Sequence, residues 1–132
     1  MALSIQVKTI KTVLMTFGEK AVSFFNTISL DADLPGDIDV MNPYKNLEVS
    51  ACVRAFFEKY YADSQKRIFV WGINPGRHGG GVTGIPFTDP FALREFLGIP
   101  HSLSGRRELS SEFIYQFIDY FGGADLFYRK FY

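Results

Sequence analysis

Gly72-Ile73-Asn74-Pro75-Gly76-Arg77-His78-Gly79-Gly80-Gly81-Val82-Thr83-Gly84-Ile85-Pro86-Phe87 decides how this chain is read. Six glycines and two prolines fall within these sixteen residues. Just before them, Arg67 to Trp71 reads as a strand, and its continuous apolar run Ile68-Phe69-Val70-Trp71 is the pattern of a strand covered on both faces as in a parallel sheet. Just after them, Thr88-Asp89-Pro90 marks a helix start. A long loop between a buried strand and a helix is usually functional or disordered. Ile73, Val82, Ile85 and Phe87 are anchors that argue against disorder. The expectation is an active-site loop at the C-terminal end of a central strand, where open α/β sheets place ligands.

The totals bound the rest. At 132 residues there is room for one domain. Fourteen Phe and seven Tyr predict a core of large rings. Cys52 is the one cysteine, so no internal disulfide forms, and its neighbours Val49, Val53 and Phe56 mark it as a small buried hydrophobe. No run reaches the length of a membrane span and no signal-peptide pattern opens the chain. A soluble intracellular protein is expected. Net charge is zero, which argues against nonspecific coating of nucleic acid. Residues 1–63 carry six basic and eight acidic side chains and residues 64–132 eight and six, so the positive half holds the glycine loop.

Periodicity predicts a helix over 6–30, with Ile10, Val13, Leu14, Phe17, Ala21, Phe24, Phe25 and Ile28 on one face and Gly18 as a weak point. Asp31 to Tyr44 is a connection. Asp31, Asp33, Gly36 and Asp37 superficially resemble a calcium loop, but Pro35 and Asn42 stand where ligands are needed, so a solvated turn is expected and no metal site. Asn42-Pro43-Tyr44 is a rigid turn ending in an aromatic. Asn46 caps a second helix to Tyr61, with Leu47, Cys52, Val53, Phe56, Phe57 and Tyr60 as its apolar stripe. A third runs from Thr88 or Asp89 to Gly98. A fourth begins at Ser110 or Ser111, carries Phe113, Ile114, Phe117, Ile118 and Phe121, and ends at Gly122-Gly123. Asp125 to Tyr132 reads as a short helix leading into a strand, and Trp71 as core.

The loop lacks the Gly-Lys-Ser/Thr ending of a Walker loop, the Gly-x-Gly-x-x-Gly spacing of a dinucleotide site, a zinc cluster and a Ser-His-Asp set. It offers an amide, Asn74, backed by Pro75. Glycines at 76, 79, 80 and 81 let the backbone approach a ligand. Phe87 follows Pro86 at the far end. An amide orients water or reads a donor–acceptor pair, and a ring stacks on a base. The set suits a planar heterocycle, while a purely structural loop and a phosphate-gripping loop stay open on the residues alone.

Gly72-Ile73-Asn74-Pro75-Gly76 followed by Thr83-Gly84-Ile85-Pro86-Phe87 resembles the first motif of the uracil-DNA glycosylase superfamily. The branch it looks like is that of the single-strand-selective monofunctional uracil-DNA glycosylases and their bacterial relatives, which have Gly-Met-Asn-Pro-Gly and Thr-Gly-Val-Pro-Phe at the same gap. Asn42-Pro43, Arg94-Glu95-Phe96-Leu97-Gly98-Ile99 and residues 111–132 extend the likeness, which covers about Leu34 to Tyr132. It implies a three-layer α/β/α fold around a central, mostly parallel sheet, of which residues 1–132 supply the N-terminal part as a single partial domain truncated at its C-terminus.

The resemblance also implies a base-excision-repair hydrolase that flips uracil, or an oxidised uracil, out of DNA and cleaves its N-glycosidic bond without a cofactor. Asn74 would position the attacking water and Phe87 would stack on the base. The backbone at Ile73, Pro75, Gly76, Gly79 and Gly80 would shape the pocket. Arg77, Arg106 and Arg107 are candidates for DNA phosphate contacts. The implied partner is uracil-containing DNA, single- or double-stranded. The setting is the bacterial cytoplasm or a nucleus, with the protein acting as a monomer away from membranes. The family's base-reading Asn on the next strand and its later His-Pro-Ser motif have no match among these residues, and neither His78 nor His101 fits the latter. The alternative is a catalytically silent base- or nucleotide-binding module, or inactive fragment, that keeps the fold.

Overall fold

A computed structural model describes residues 14–73 and 75–132. It shows six α-helices among them: α1 (Phe17–Thr27), α2 (Leu47–Tyr60), α3 (Gly80–Thr83), α4 (Pro90–Glu95), α5 (Leu109–Phe121) and α6 (Ala124–Lys130). A 3-10 turn, Pro43–Lys45, precedes α2.

α1 begins later than its apolar pattern suggests, because Thr16 and Glu19 form a reciprocal cap there. The Glu19 amide donates to Thr16 Oγ1 (3.2 Å) and the Thr16 amide to Glu19 Oε2 (2.7 Å). Ile10 and Val13 lie outside the described residues. Gly18 is a docking point rather than a break. Its amide donates to the Tyr61 carbonyl at 2.9 Å, and a Cβ there would fall 2.8 Å from the Phe57 carbonyl oxygen. The start of α1 therefore sits on the end of α2, amides against carbonyls.

α2 starts where expected, with Asn46 Oδ1 accepting the Glu48 amide at 2.8 Å. It buries Val49, Cys52, Val53, Phe56, Phe57 and Tyr60, whereas Leu47 is exposed. Rings dominate the core: Phe56 packs edge-on to Tyr128 at 5.1 Å, and Tyr60 and Tyr61 flank them. α5 contributes Tyr115 and Ile118 to this core and turns Phe113 and Phe117 outward. It starts at Leu109, ahead of the serines, since Ser111 is buried and occupied with α4.

The expected three-layer α/β/α arrangement is not what the described residues form. They are helical, with no sheet. The run from Ile68 to Trp71 is extended but makes a single parallel bridge, Ile68 to Phe131. Three backbone bonds hold it: Ile68 N to Lys130 O (2.9 Å), Tyr132 N to Ile68 O (2.9 Å) and Val70 N to Tyr132 O (3.1 Å). One such pairing makes no layer. Nor is the run covered on both faces. Ile68, Phe69 and Val70 are exposed, and Trp71 is 84% exposed instead of core. An apolar, β-branched run reports a backbone preference for extension; it does not report what packs against it.

Arg67 fastens this segment. Its guanidinium donates to both carboxylate oxygens of Asp63 (2.6 and 2.8 Å) and to the carbonyls of Tyr128 (2.7 Å) and Tyr60 (3.3 Å). It lies over the rings of Tyr61 and Tyr132. The residue that opens the extended run is thus bonded to the ends of α2 and α6. No helix among the described residues is long and apolar enough to cross a membrane.

Candidate functional site

The glycine loop leaves the extended segment at Gly72, and backbone bonds wind its middle. The Gly76 carbonyl accepts the amides of Gly79 (3.2 Å) and Gly81 (2.8 Å), and the Gly79 carbonyl those of Val82 (2.8 Å) and Thr83 (3.0 Å). This winds the loop into α3. Gly84 ends α3 in the left-handed region at φ 72°, and a Cβ there would strike Val53, Tyr44 and Val49. Both the conformation and the space require glycine.

Two side chains outside the loop hold that corner. Tyr44 donates its hydroxyl to the Gly84 carbonyl at 3.0 Å while its ring stacks on Phe25 at 4.7 Å. Burial pushes the Tyr44 hydroxyl up to about 12, so it stays a donor at neutral pH. Asn42 sets Tyr44 in place, accepting the Tyr44 amide at 3.1 Å and donating to the Ile28 carbonyl at 3.1 Å. The rigid Asn42-Pro43-Tyr44 turn therefore serves the loop.

Past Gly84 the anchors are polar and buried. Thr83 Oγ1 donates to the Thr88 carbonyl at 2.7 Å. Thr88 Oγ1 donates to the Pro86 carbonyl (2.9 Å) and is 2.8 Å from the Tyr115 hydroxyl, which is 3.3 Å from that of Tyr128. Ile85 is buried. The tether forces Phe87 into the left-handed region at φ 55°, alone among described non-glycine residues. From there the half-buried ring reaches back to the loop entrance, where a Cβ on Gly72 would meet Phe87 Cζ at 2.8 Å. The two ends of the loop thus touch.

Of the residues singled out in the sequence, Asn74 lies outside the described residues. Ile73 and Pro75 are exposed beside it, and Gly76, Gly79 and Gly80 form the turn behind. Ile73 is therefore not the loop anchor its apolar side chain suggested. Arg77 is exposed on the same turn, which packs against the α4–α5 connection: a Cβ on Gly105 would lie 3.7 Å from the His78 carbonyl oxygen. Arg106 and Arg107 follow on that connection. Arg107 pairs with Glu95 at 3.0 Å and covers the Phe91 ring at 4.7 Å. Among the described residues Arg77 and Arg106 make no ion pair.

His101 belongs to the frame. Its Nε2 lies 2.9 Å from the Pro90 carbonyl oxygen and so carries the proton. The acidic stretch 31–39 is exposed, and no group of three His, Cys, Asp or Glu side chains among the described residues is placed to hold a metal. A cleft of about 400 Å³ lies between α1 and α2, lined by Met15, Glu19, Arg54 and Glu58 among others. It includes no loop residue and has no chemistry in common with the loop.

One residue of the site left little trace in the sequence. The Glu108 carboxylate sits inside the turn, where Cβ atoms on Gly76 or Gly79 would have to go. Its only signal was an acid just before the Ser110-Ser111 helix start.

No protein-family model matches the chain, and no curated protein matches it. Among solved structures it is similar to wild-type SMUG2 of Pedobacter heparinus, a uracil-DNA glycosylase superfamily member, with 47% identity and a TM-score of 0.83. The likeness covers 90% of this chain and 52% of that one, so the chain spans about half the length of that relative. Through nearly all of its length the chain is thus similar to one part of a uracil-DNA glycosylase superfamily member.

Proposed function

We propose that the chain is part of a DNA-repair glycosylase that hydrolyses the N-glycosidic bond of uracil, or of an oxidised uracil, in DNA. The observation that carries this reading is the likeness to the Pedobacter protein at 47% identity over 90% of the chain. The loop's own geometry supports it. Phe87 presents a half-exposed ring at the loop entrance, held in a strained backbone by the Thr83–Thr88 tether. A base extruded from the DNA would stack on that ring. Asn74, at the entrance side of the loop, would orient the water that attacks the sugar carbon. An amide takes no proton at neutral pH, so catalysis would rest on placing the water and on stabilising the departing uracil anion. Arg77 and Arg106 would meet phosphates. The protein would act as a monomer, without a cofactor, in the compartment that holds the genome.

A labelled single-stranded oligonucleotide with one uracil tests this. Alkali cleaves the strand wherever uracil has been released. The wild-type protein is expected to generate abasic sites, and Asn74→Ala to slow this by about 10²-fold. Undiminished release by Asn74→Ala would sink the reading. Binding of abasic DNA without release, lost in Phe87→Ala, would establish a silent base-binding module instead.

A further inference from the structure

Glu108 stands in the N-cap position of α5, and its carbonyl accepts the Glu112 amide at 2.9 Å. A polar side chain there ordinarily turns back onto the free amides of its own helix. Glu108 makes no such cap bond. It reaches away from the helix into the glycine loop, where Cβ atoms on Gly76 and on Gly79 would both run into its carboxylate. Its Oε2 is buried without a hydrogen-bond partner. A side chain that forgoes its cap to fill a place where one oxygen is unsatisfied is held there by its surroundings.

Those surroundings are rigid. The Glu108 amide donates to Asp89 Oδ2 at 2.9 Å. Asp89 is buried, caps α4 through the Ala92 amide (2.8 Å to Oδ1), and donates its own amide to Ser111 Oγ at 3.1 Å. α4 and α5 thus deliver one carboxylate to the inside of a turn that has no side chains of its own at 76 and 79.

We propose that Glu108 is a positioning residue of the glycine loop. Its carboxylate fills the interior of the Gly76–Gly79 turn, fixes the loop backbone against α5, and is the reason that both positions are glycine. The effect on base binding rests on the glycosylase reading above; the packing role does not.

Glu108→Ser separates this role from general stability, because serine is the better N-cap. Its melting temperature is expected at or above that of the wild type. The amides of Gly79 and Gly81 are nonetheless expected to exchange with solvent about tenfold faster, while those of Cys52 and Val53 in α2 keep their rates. Loop exchange unchanged, or rising in step with α2, overturns the proposal. A second arm uses Gly76→Ala, expected to destabilise the wild type and to be tolerated in the Glu108→Ser background; additive effects overturn it equally. Binding of uracil-containing single-stranded DNA is expected to weaken in Glu108→Ser. If the wild type binds no such DNA, the glycosylase reading fails, and the exchange data still decide the role of Glu108.

Discussion

The Phe87 ring lies where a side chain on Gly72 would have to go, so the two ends of the loop exclude one another's freedom. A Cβ on Gly72 would be 2.8 Å from Phe87 Cζ. Gly72 is exposed and Phe87 half-buried, so displacing the ring removes little from the core. Gly72→Ala is therefore expected to change stability by less than about 1 kcal/mol. On the proposed function it is also expected to weaken binding of uracil-containing DNA about tenfold, by moving the ring on which the base would stack. Fluorescence anisotropy against a thermal melt separates the two effects. Intact affinity in the Ala variant would show that the ring position does not matter.

Phe87 itself is held at φ 55°, where an L side chain costs about 1 kcal/mol or more. Glycine escapes that cost and alanine does not. Phe87→Gly should accordingly be more stable than Phe87→Ala by about 1 kcal/mol, the reverse of the order at an ordinary position. Urea denaturation of the pair gives the answer. Equal stabilities would mean that the strain is absent in solution.

How much of this was legible beforehand follows from what each signal reports. The caps at Asn46 and Asp89, the stop at Gly122 and the burial of Cys52 follow from local chemistry, and the described residues carry them as expected. The spacing of Gly72 to Phe87 carried the resemblance to the superfamily of the Pedobacter protein. The sheet failed because an apolar run such as Ile68–Trp71 encodes extension but not partners; among the described residues only the short segment Lys130 to Tyr132 pairs with it. Glu108, Tyr44 and Thr88 act over long sequence separations. Tyr44 reaches Gly84 and Thr88 reaches Tyr115, contacts that no local window contains. Arg67 is the sharpest case: an ordinary-looking charge at a strand start proved to be a buried junction.

The Tyr44 clamp can be removed without disturbing its stack on Phe25. Tyr44→Phe keeps the ring and deletes the hydroxyl bond to Gly84, leaving a carbonyl short of one partner. A loss of about 1 kcal/mol is expected. Gly84→Ala faces both φ 72° and collisions with Val53, Val49 and Tyr44, so a loss above about 3 kcal/mol is expected. Chemical denaturation of both variants should show that order; a milder Gly84→Ala would mean that α3 can shift off α2.

The Arg67–Asp63 pair sets an acid dependence. The Arg67 hydrogen bond holds the Asp63 carboxyl below its usual range, and the bond to Asp63 in turn raises Arg67 further above an already high value. A carboxyl whose folded pKa is depressed contributes stability that is complete above its unfolded pKa of about 3.9 and disappears as pH falls through the folded value. Asp63→Asn leaves the Arg67 side chain, 1% exposed, bonded mainly to the carbonyls of Tyr128 and Tyr60. Its cost is expected at about 2 kcal/mol near neutrality, the scale of a charge-assisted hydrogen bond. The gap between wild type and variant should stay constant from neutral pH to about pH 5 and narrow below about pH 4. A gap that stayed constant through the acid range would mean that Asp63 ionises as it does in the unfolded chain.

Arg106 and Arg107 are adjacent in sequence and differ in what already holds them, so under the proposed function they would differ in DNA binding. Arg107 is engaged with Glu95 at 3.0 Å and lies over Phe91, while Arg106 is exposed and makes no ion pair among the described residues. A phosphate contact by Arg106 would release a counterion from single-stranded DNA, contributing about 0.7 to the slope of log affinity against log salt. Arg107 would first have to leave Glu95, so its net contribution is smaller. Arg106→Ala is thus expected to lower the salt slope by about 0.7 for any sequence, with or without uracil, and Arg107→Ala to change it less. Glu95→Ala, which frees Arg107, should strengthen binding at low salt. Titrations at several salt concentrations decide it, and an unchanged slope in Arg106→Ala would remove this connection from the DNA path.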